Sequence, residues 1–75
     1  MEGVVKWFNE RKGFGFITVS GIGDVFVHYS SILGNGYKVL YENQKVRLSL
    51  VKGDNGYYAK DVEPLREIYI EKENL

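Results

Sequence analysis

The chain has 75 residues, of which ten are basic and ten acidic, so its formal net charge is zero at pH 7. This balance argues against a partner held by bulk charge attraction, and a polyanion would need a local arrangement of cations. The absence of cysteine excludes a disulfide framework and a thiolate metal site. Aromatic residues make up 15% of the chain, more than the thin core of so short a protein needs, so we expect some rings on the surface.

No apolar run in the sequence approaches the roughly 20 residues of a membrane span. The first residues, MEGVVKWFNE, also lack the apolar stretch of a signal peptide. We therefore expect a single cytoplasmic domain without a membrane partner.

The first half of the chain predicts three short strands. Val4–Asn9 and Phe14–Val19 are rich in β-branched and aromatic residues, and the NERKG segment between them has the composition of a turn. The glycines of SGIG then predict a hairpin loop of about four residues before a third strand, Asp24–Tyr29.

A longer connection, SSILGNGYK, follows the third strand. Ser30 is expected to cap a single helical turn that runs through Leu33. A fourth strand at Lys45–Val51 alternates apolar and polar residues, and the Asn-Gly dipeptide of KGDNGY predicts a hairpin into a fifth strand near Tyr57–Val62. Five short strands with one longer connection predict an all-β fold, an antiparallel barrel or sandwich, over residues 1–63.

Residues 64–75, PLREIYIEKENL, form a C-terminal extension whose structure the pattern leaves open. Pro64 suits a first helical position, and Leu65, Ile68 and Tyr69 follow it with helical spacing. Ile68 and Ile70 equally alternate as in a strand, and an edge strand that pairs with another chain is a third alternative. We expect a monomer, with dimerisation through this extension left open.

The second and third strands each have two different faces, because side chains alternate along a strand. One face is aliphatic and consists of Ile17, Val19, Val25 and Val27. The other is aromatic and polar and consists of Phe14, Phe16, Thr18, Asp24, Phe26 and His28. A small barrel buries only one of them well, and β-branched aliphatics suit its narrow interior. We therefore expect the rings outside, with Gly13 and Gly15 keeping the surface between them open.

Exposed rings beside cations suit single-stranded nucleic acid, since bases of any identity stack on rings and lysines contact phosphates. The candidate cations are Lys6, Lys12 and Lys38, with Arg11. An alternative function is a protein-interaction module that binds proline-rich peptides in an aromatic groove. The sequence contains no evident nucleophile and base pair or metal-ligand cluster, so we expect neither an enzyme nor a cofactor.

Structural roles compete with binding roles at several of these positions. Phe14, Phe16 and Phe26 would all be core residues if the faces were reversed. Independently of this, the structural alternative for Trp7 is to seal a barrel end, and that for Asp24 is to hold the entry to a turn. The lysines would be ordinary solvated charges.

Three motifs resemble the cold-shock domain family. KGFGFI, Lys12–Ile17, resembles its first ribonucleoprotein motif, VFVHY, Val25–Tyr29, the second, and VKWFN, Val5–Asn9, its opening. With GDVFVHYSSI and GYKVL, the resemblance extends from about Gly3 to Val62. It implies an OB-type five-stranded antiparallel barrel that binds single-stranded RNA or DNA with little sequence demand, often preferring pyrimidine-rich stretches. It also implies roles as an RNA chaperone and as a regulator of transcription and translation in a cold-shock-type response.

The resemblance also implies which residues bind nucleic acid. Transferred position by position, they are Lys6, Trp7, Asn9, Lys12, Phe14, Phe16, Asp24, Phe26, His28, Tyr29 and Tyr37. We add Lys38 to these residues as a flanking cation. We also add Tyr57, because the sequence has two tyrosines after Gly56, where the family usually has proline. The two tyrosines of this YY pair either add a stacking surface or cap the barrel. Val4 departs from the family, since many members carry a basic residue there.

Overall fold

The structure is a computed structural model that describes residues 1–34, 36 and 38–65. These residues form five strands and a short 3₁₀ turn: β1 (Glu2–Asn9), β2 (Phe14–Val19), β3 (Gly23–His28), the turn (Tyr29–Ser31), β4 (Lys45–Gly53) and β5 (Gly56–Pro64). The strands close into a barrel in the order β1-β2-β3-β5-β4, which confirms the predicted all-β, OB-type fold. Within the described residues, none of the helical structure is long and apolar enough to cross a membrane.

The barrel closes through one parallel contact. β1 pairs antiparallel with β2 and with β4, β2 with β3, and β4 with β5. β3 and β5 then run in the same direction, and Phe26 lies opposite Tyr58. The parallel pair is unavoidable, because strand direction cannot alternate throughout a closed ring with an odd number of strands.

Aliphatic side chains fill the barrel interior. The buried hydrophobic residues are Val5, Ile17, Val19, Val25, Val27, Ile32, Leu40, Val46, Leu48, Ala59 and Val62. Phe8 and Leu50 pack against them at the boundary, and no polar side chain is buried in the part of the chain that the structure describes. Each fully buried Val or Ile contributes roughly 1.5–3 kcal/mol to stability. The aliphatic face of β2 and β3 therefore lies inside, as the alternation predicted.

The connection after β3 differs from the prediction. His28, and not Ser30, caps the turn, because the His28 ring nitrogen Nδ1 accepts a hydrogen bond from the backbone N–H of Ser30. The turn also ends at Ser31 rather than Leu33. Ile32 is buried and bridges to Val62 of β5, so packing of Ile32 in the core ends the helical turn.

Pro64 is the last residue of β5 and not the first residue of a helix. It lies opposite Val46 of β4, and the backbone N–H of Leu65 donates to Lys45 O at 3.0 Å. A strand end tolerates proline, which has no N–H to donate to a sheet. The predictions for Ile68, Tyr69 and Ile70 fall outside the described residues.

Asn43, in the turn before β4, has a left-handed backbone with φ 71°. Replacing Asn43 with Ala should lower the free energy of unfolding by about 1 kcal/mol, because a Cβ without a polar side chain disfavours this conformation. Asn43→Gly should stay close to the wild type, and Glu42→Ala serves as a control at the exposed neighbouring position. Urea unfolding measures all three; equal stability of the Ala and Gly variants at position 43 would contradict the prediction.

Candidate nucleic-acid interface

Four aromatic rings meet on the outside of β1, β2 and β3. Across the strands, Trp7 lies opposite Phe16, and Phe16 opposite Phe26. Their ring centroids are 5.4 Å apart for Trp7 and Phe16, and 5.8 Å apart for Phe16 and Phe26. Phe14 completes the group, 5.8 Å from Trp7 and 5.8 Å from Phe26. We call Trp7, Phe14, Phe16 and Phe26 the aromatic cluster; each ring is held by two others.

The aromatic cluster is open to solvent. Trp7 is 39% and Phe26 37% exposed, and Phe14 and Phe16 are half-buried. The rings therefore lie opposite the aliphatic interior, and the alternative that the three phenylalanines form the core does not match the structure. A contiguous exposed apolar surface of this kind usually marks an interaction site.

A β-bulge in β1 orients Trp7. Val5 lies opposite Ile17 and Trp7 lies opposite Phe16, so Lys6 is an extra residue between two consecutive cross-strand pairs. The bulge shifts the alternation by one position, as bulges do when they redirect a side chain. Val5 and Phe8 consequently face the interior, and both Lys6 and Trp7 face solvent.

Lys6 is held at the edge of the aromatic cluster by Asp24. Lys6 Nζ lies 2.8 Å from Asp24 Oδ2, and Thr18 Oγ1 donates a hydrogen bond to Asp24 Oδ1 at 3.1 Å. The hydrogen bond from Lys6, followed by that from Thr18, lowers the pKa of the Asp24 carboxyl below its ordinary value of 3.8. This ammonium is therefore already paired when no nucleic acid is bound.

The turn between β1 and β2 is closed by Asn9. Its side-chain Oδ1 accepts from the backbone N–H of Lys12 at 2.8 Å, and its carbonyl accepts from Gly13 N at 2.7 Å. The amide oxygen of Asn9 thus has a structural partner, and its bond orients the backbone at Lys12. Lys12 itself is exposed on this turn.

Two further rings lie beside this turn. The His28 and Tyr29 ring centroids are 4.6 Å apart, and His28 lies opposite Phe14 across β2 and β3. His28 Nδ1 is also 2.8 Å from Ser30 Oγ. Tyr29 contributes to an open cleft of about 370 Å³ together with Glu10, Arg11, Lys12, Gly13, Gly36 and Lys38. The cleft places three cationic side chains around one exposed tyrosine.

The two glycines of KGFGFI have a different role from the one predicted. Gly15 is buried, and a Cβ there would lie 2.6 Å from Phe8 Cα, so glycine allows β2 to approach β1 closely. Gly13 has φ 76°, and a Cβ on it would lie 2.6 Å from Cδ2 of the Tyr29 ring. Both glycines therefore permit contacts within the protein and do not clear the surface between the rings.

The predicted site residues are distributed unevenly over the barrel. Lys6, Asp24 and the aromatic cluster form one group, and Lys12, Tyr29 and Lys38 meet at the cleft, with Asn9 and His28 next to it. Tyr37 lies outside the described residues. Tyr57 shares the strand face of buried Ala59 at the end of the barrel. Tyr58, for which the sequence left stacking and capping open and which is not among the predicted site residues, lies opposite Phe26. A count of strand directions around a five-stranded ring predicts a parallel pair but not its register, so the position of Tyr58 opposite Phe26 has no signal in the sequence.

Replacing Lys6 with Gln should raise the pKa of Asp24, because the largest cause of its depression is removed, whereas Lys6→Arg should keep it low. An NMR titration of the Asp24 carboxyl measures this shift. Because the folded pKa lies below 3.8, the stability from Asp24 is present above that value and lost as pH falls through the folded pKa.

The advantage of the wild type over Asp24→Asn in the free energy of unfolding should therefore be constant near neutral pH and shrink in acid. An advantage that grew on acidification would contradict this assignment.

Comparison with known proteins supports the resemblance seen in the motifs. Residues 1–65 match the family model of the "'Cold-shock' DNA-binding domain". The chain is 56% identical over 61 residues to the Cold shock protein CspA of Staphylococcus haemolyticus, covering 81% of this chain and 92% of that protein. The CspA proteins of Staphylococcus aureus (strain USA300) and Staphylococcus epidermidis match with the same identity and coverage. The chain therefore belongs to the cold-shock domain family of nucleic-acid-binding, non-enzymatic proteins.

Proposed function

We propose that this protein binds single-stranded RNA and DNA by stacking bases on the aromatic cluster, with low sequence specificity. The observation that carries the proposal is the position of four mutually supported rings on the outer face of strands whose inner face is aliphatic. Bases stack on such rings whatever their identity, whereas a double helix keeps its bases paired and stacked on each other.

The magnitudes are sufficient for useful affinity. Stacking contributes roughly 1–3 kcal/mol per base, so three or four stacked bases supply on the order of 3–12 kcal/mol before ordering costs. A micromolar complex needs about 8 kcal/mol. The cations of the cleft, Arg11, Lys12 and Lys38, add phosphate contacts. Because they are few and the chain has no net charge, we expect a shallow dependence of affinity on salt.

The cellular role that follows from this binding is RNA chaperoning. A protein that holds unpaired bases without reading their identity favours open over paired RNA, and so changes the access of other factors to transcripts. We therefore propose that the protein acts in the cytoplasm as an RNA chaperone and as a regulator of transcription and translation in a cold-shock-type response. We also propose a preference for pyrimidine-rich strands and a monomeric state.

Titration of Trp7 fluorescence with oligo-dT tests the proposal. Oligo-dT should quench the fluorescence of the wild-type protein at low salt. Phe16→Ala and Phe26→Ala should each weaken binding by roughly 1–3 kcal/mol, the contribution of one stacked base. Tyr41→Ala is the matched control, because Tyr41 is 63% exposed but lies in the turn before β4, outside the aromatic cluster.

The same variants separate binding from folding. Phe26→Ala should reduce the free energy of unfolding less than Val25→Ala, whose side chain is fully buried on the opposite face. A collapse of stability in Phe26→Ala would show that the ring belongs to the core. Quenching by a polyproline peptide without quenching by oligo-dT would instead favour the peptide-binding alternative.

A further inference from the structure

A cross-strand row of aromatic residues continues beyond the aromatic cluster onto β5. Trp7, Phe16 and Phe26 lie opposite one another on β1, β2 and β3, and Phe26 in turn lies opposite Tyr58. Neighbouring strands are about 4.8 Å apart, so the row extends about 14 Å from β1 to β5. The row crosses the strands, and Tyr58 is its fourth position.

We propose that Tyr58 is an additional base-stacking residue, which lengthens the single-stranded nucleic acid that the protein holds. This inference rests on the proposed function, since it adds a position to the same surface. According to this proposal, the bound nucleic acid leaves the aromatic cluster on the β5 side of the barrel.

The orientation of Tyr58 supports this role. Ala59 is buried, so alternation directs Tyr58 outward, and Tyr58 is 43% exposed. A Cβ on Gly53 would lie 3.4 Å from both Cδ1 and Cε1 of the Tyr58 ring, so the ring lies close over this glycine. Val51 lies opposite Tyr58 on β4 and is half-buried. The ring therefore rests on β4 and still presents surface to solvent.

Charge along β5 suits a nucleic acid at this position. Lys60 lies two residues after Tyr58, on the same outer face of the strand, and is exposed. In the part of the chain that the structure describes, the ion pairs join Lys6 to Asp24 and Arg47 to Glu63, so neither involves Lys60. A ring followed by an unpaired ammonium on one face offers a stacking surface and a phosphate contact to the same ligand.

The length of the oligonucleotide tests the inference. We would measure the affinity of wild type, Tyr58→Ala, Tyr58→Phe and the control Tyr41→Ala for oligo-dT of about 3 to about 8 nucleotides. These lengths extend from just below the site sizes seen for OB-folds into their lower part. Tyr58→Ala should weaken binding of the longest oligomer about 5- to 150-fold and of the shortest by less than about twofold. Tyr58→Phe should bind like wild type, because stacking needs the ring and not the hydroxyl.

NMR provides a second readout. The Tyr58 ring protons should shift upfield when the longest oligomer is added and stay unchanged with the shortest. Wild-type affinity of Tyr58→Ala at every length would overturn the inference while leaving the proposed function intact. An equal loss at every length would also overturn it, because it would indicate an indirect effect on Phe26. Failure of the wild type itself to bind any oligomer would instead overturn the proposed function.

Discussion

Burial of one aliphatic face per strand is the constraint on which this molecule depends. Ile17, Val25 and Val27 are completely buried in an interior that has little room for large rings. The rings on the same strands must then lie outside. Stability and the proposed binding surface therefore lie on opposite faces of one hairpin, which gives a chain of 75 residues room for both. The exposed rings contact one another at the surface, each with its centroid within 5.8 Å of those of two others.

Strand number adds a second constraint. A closed ring of five strands requires one parallel pair, and the chain places it between β3 and β5. This pair brings the YY segment of β5 next to the VFVHY segment of β3, although some thirty residues separate them in the sequence. The outer surface consequently continues around the barrel beyond the hairpin that carries both ribonucleoprotein motifs.

Local patterns predicted much of this structure, and long-range contacts account for what they missed. Alternation in β2 and β3 was enough to separate Ile17 from Phe16, because it depends only on neighbours in the chain. The bulge at Lys6 depends on register with β2, and the pairing of Lys6 with Asp24 joins separate strands, so neither has a local signal. Gly15 was misinterpreted for the same reason: its missing side chain makes room for the backbone of another strand. Ser30 has the chemistry of a cap, yet the preceding histidine takes that position.

The bulge in β1 also changes how many side chains a strand can place on its outer face. In a regular strand, side chains alternate between the outer and the inner face, so only half of the residues face outward. The bulge at Lys6 interrupts this alternation, so that Lys6 and Trp7 both face outward. Val5 and Phe8, on either side of them, still face the interior. Omission of this one residue would leave both faces in regular alternation and remove the Lys6 charge together with its ion pair to Asp24. The bulge is thus an insertion that raises the density of functional groups without taking a position from the core.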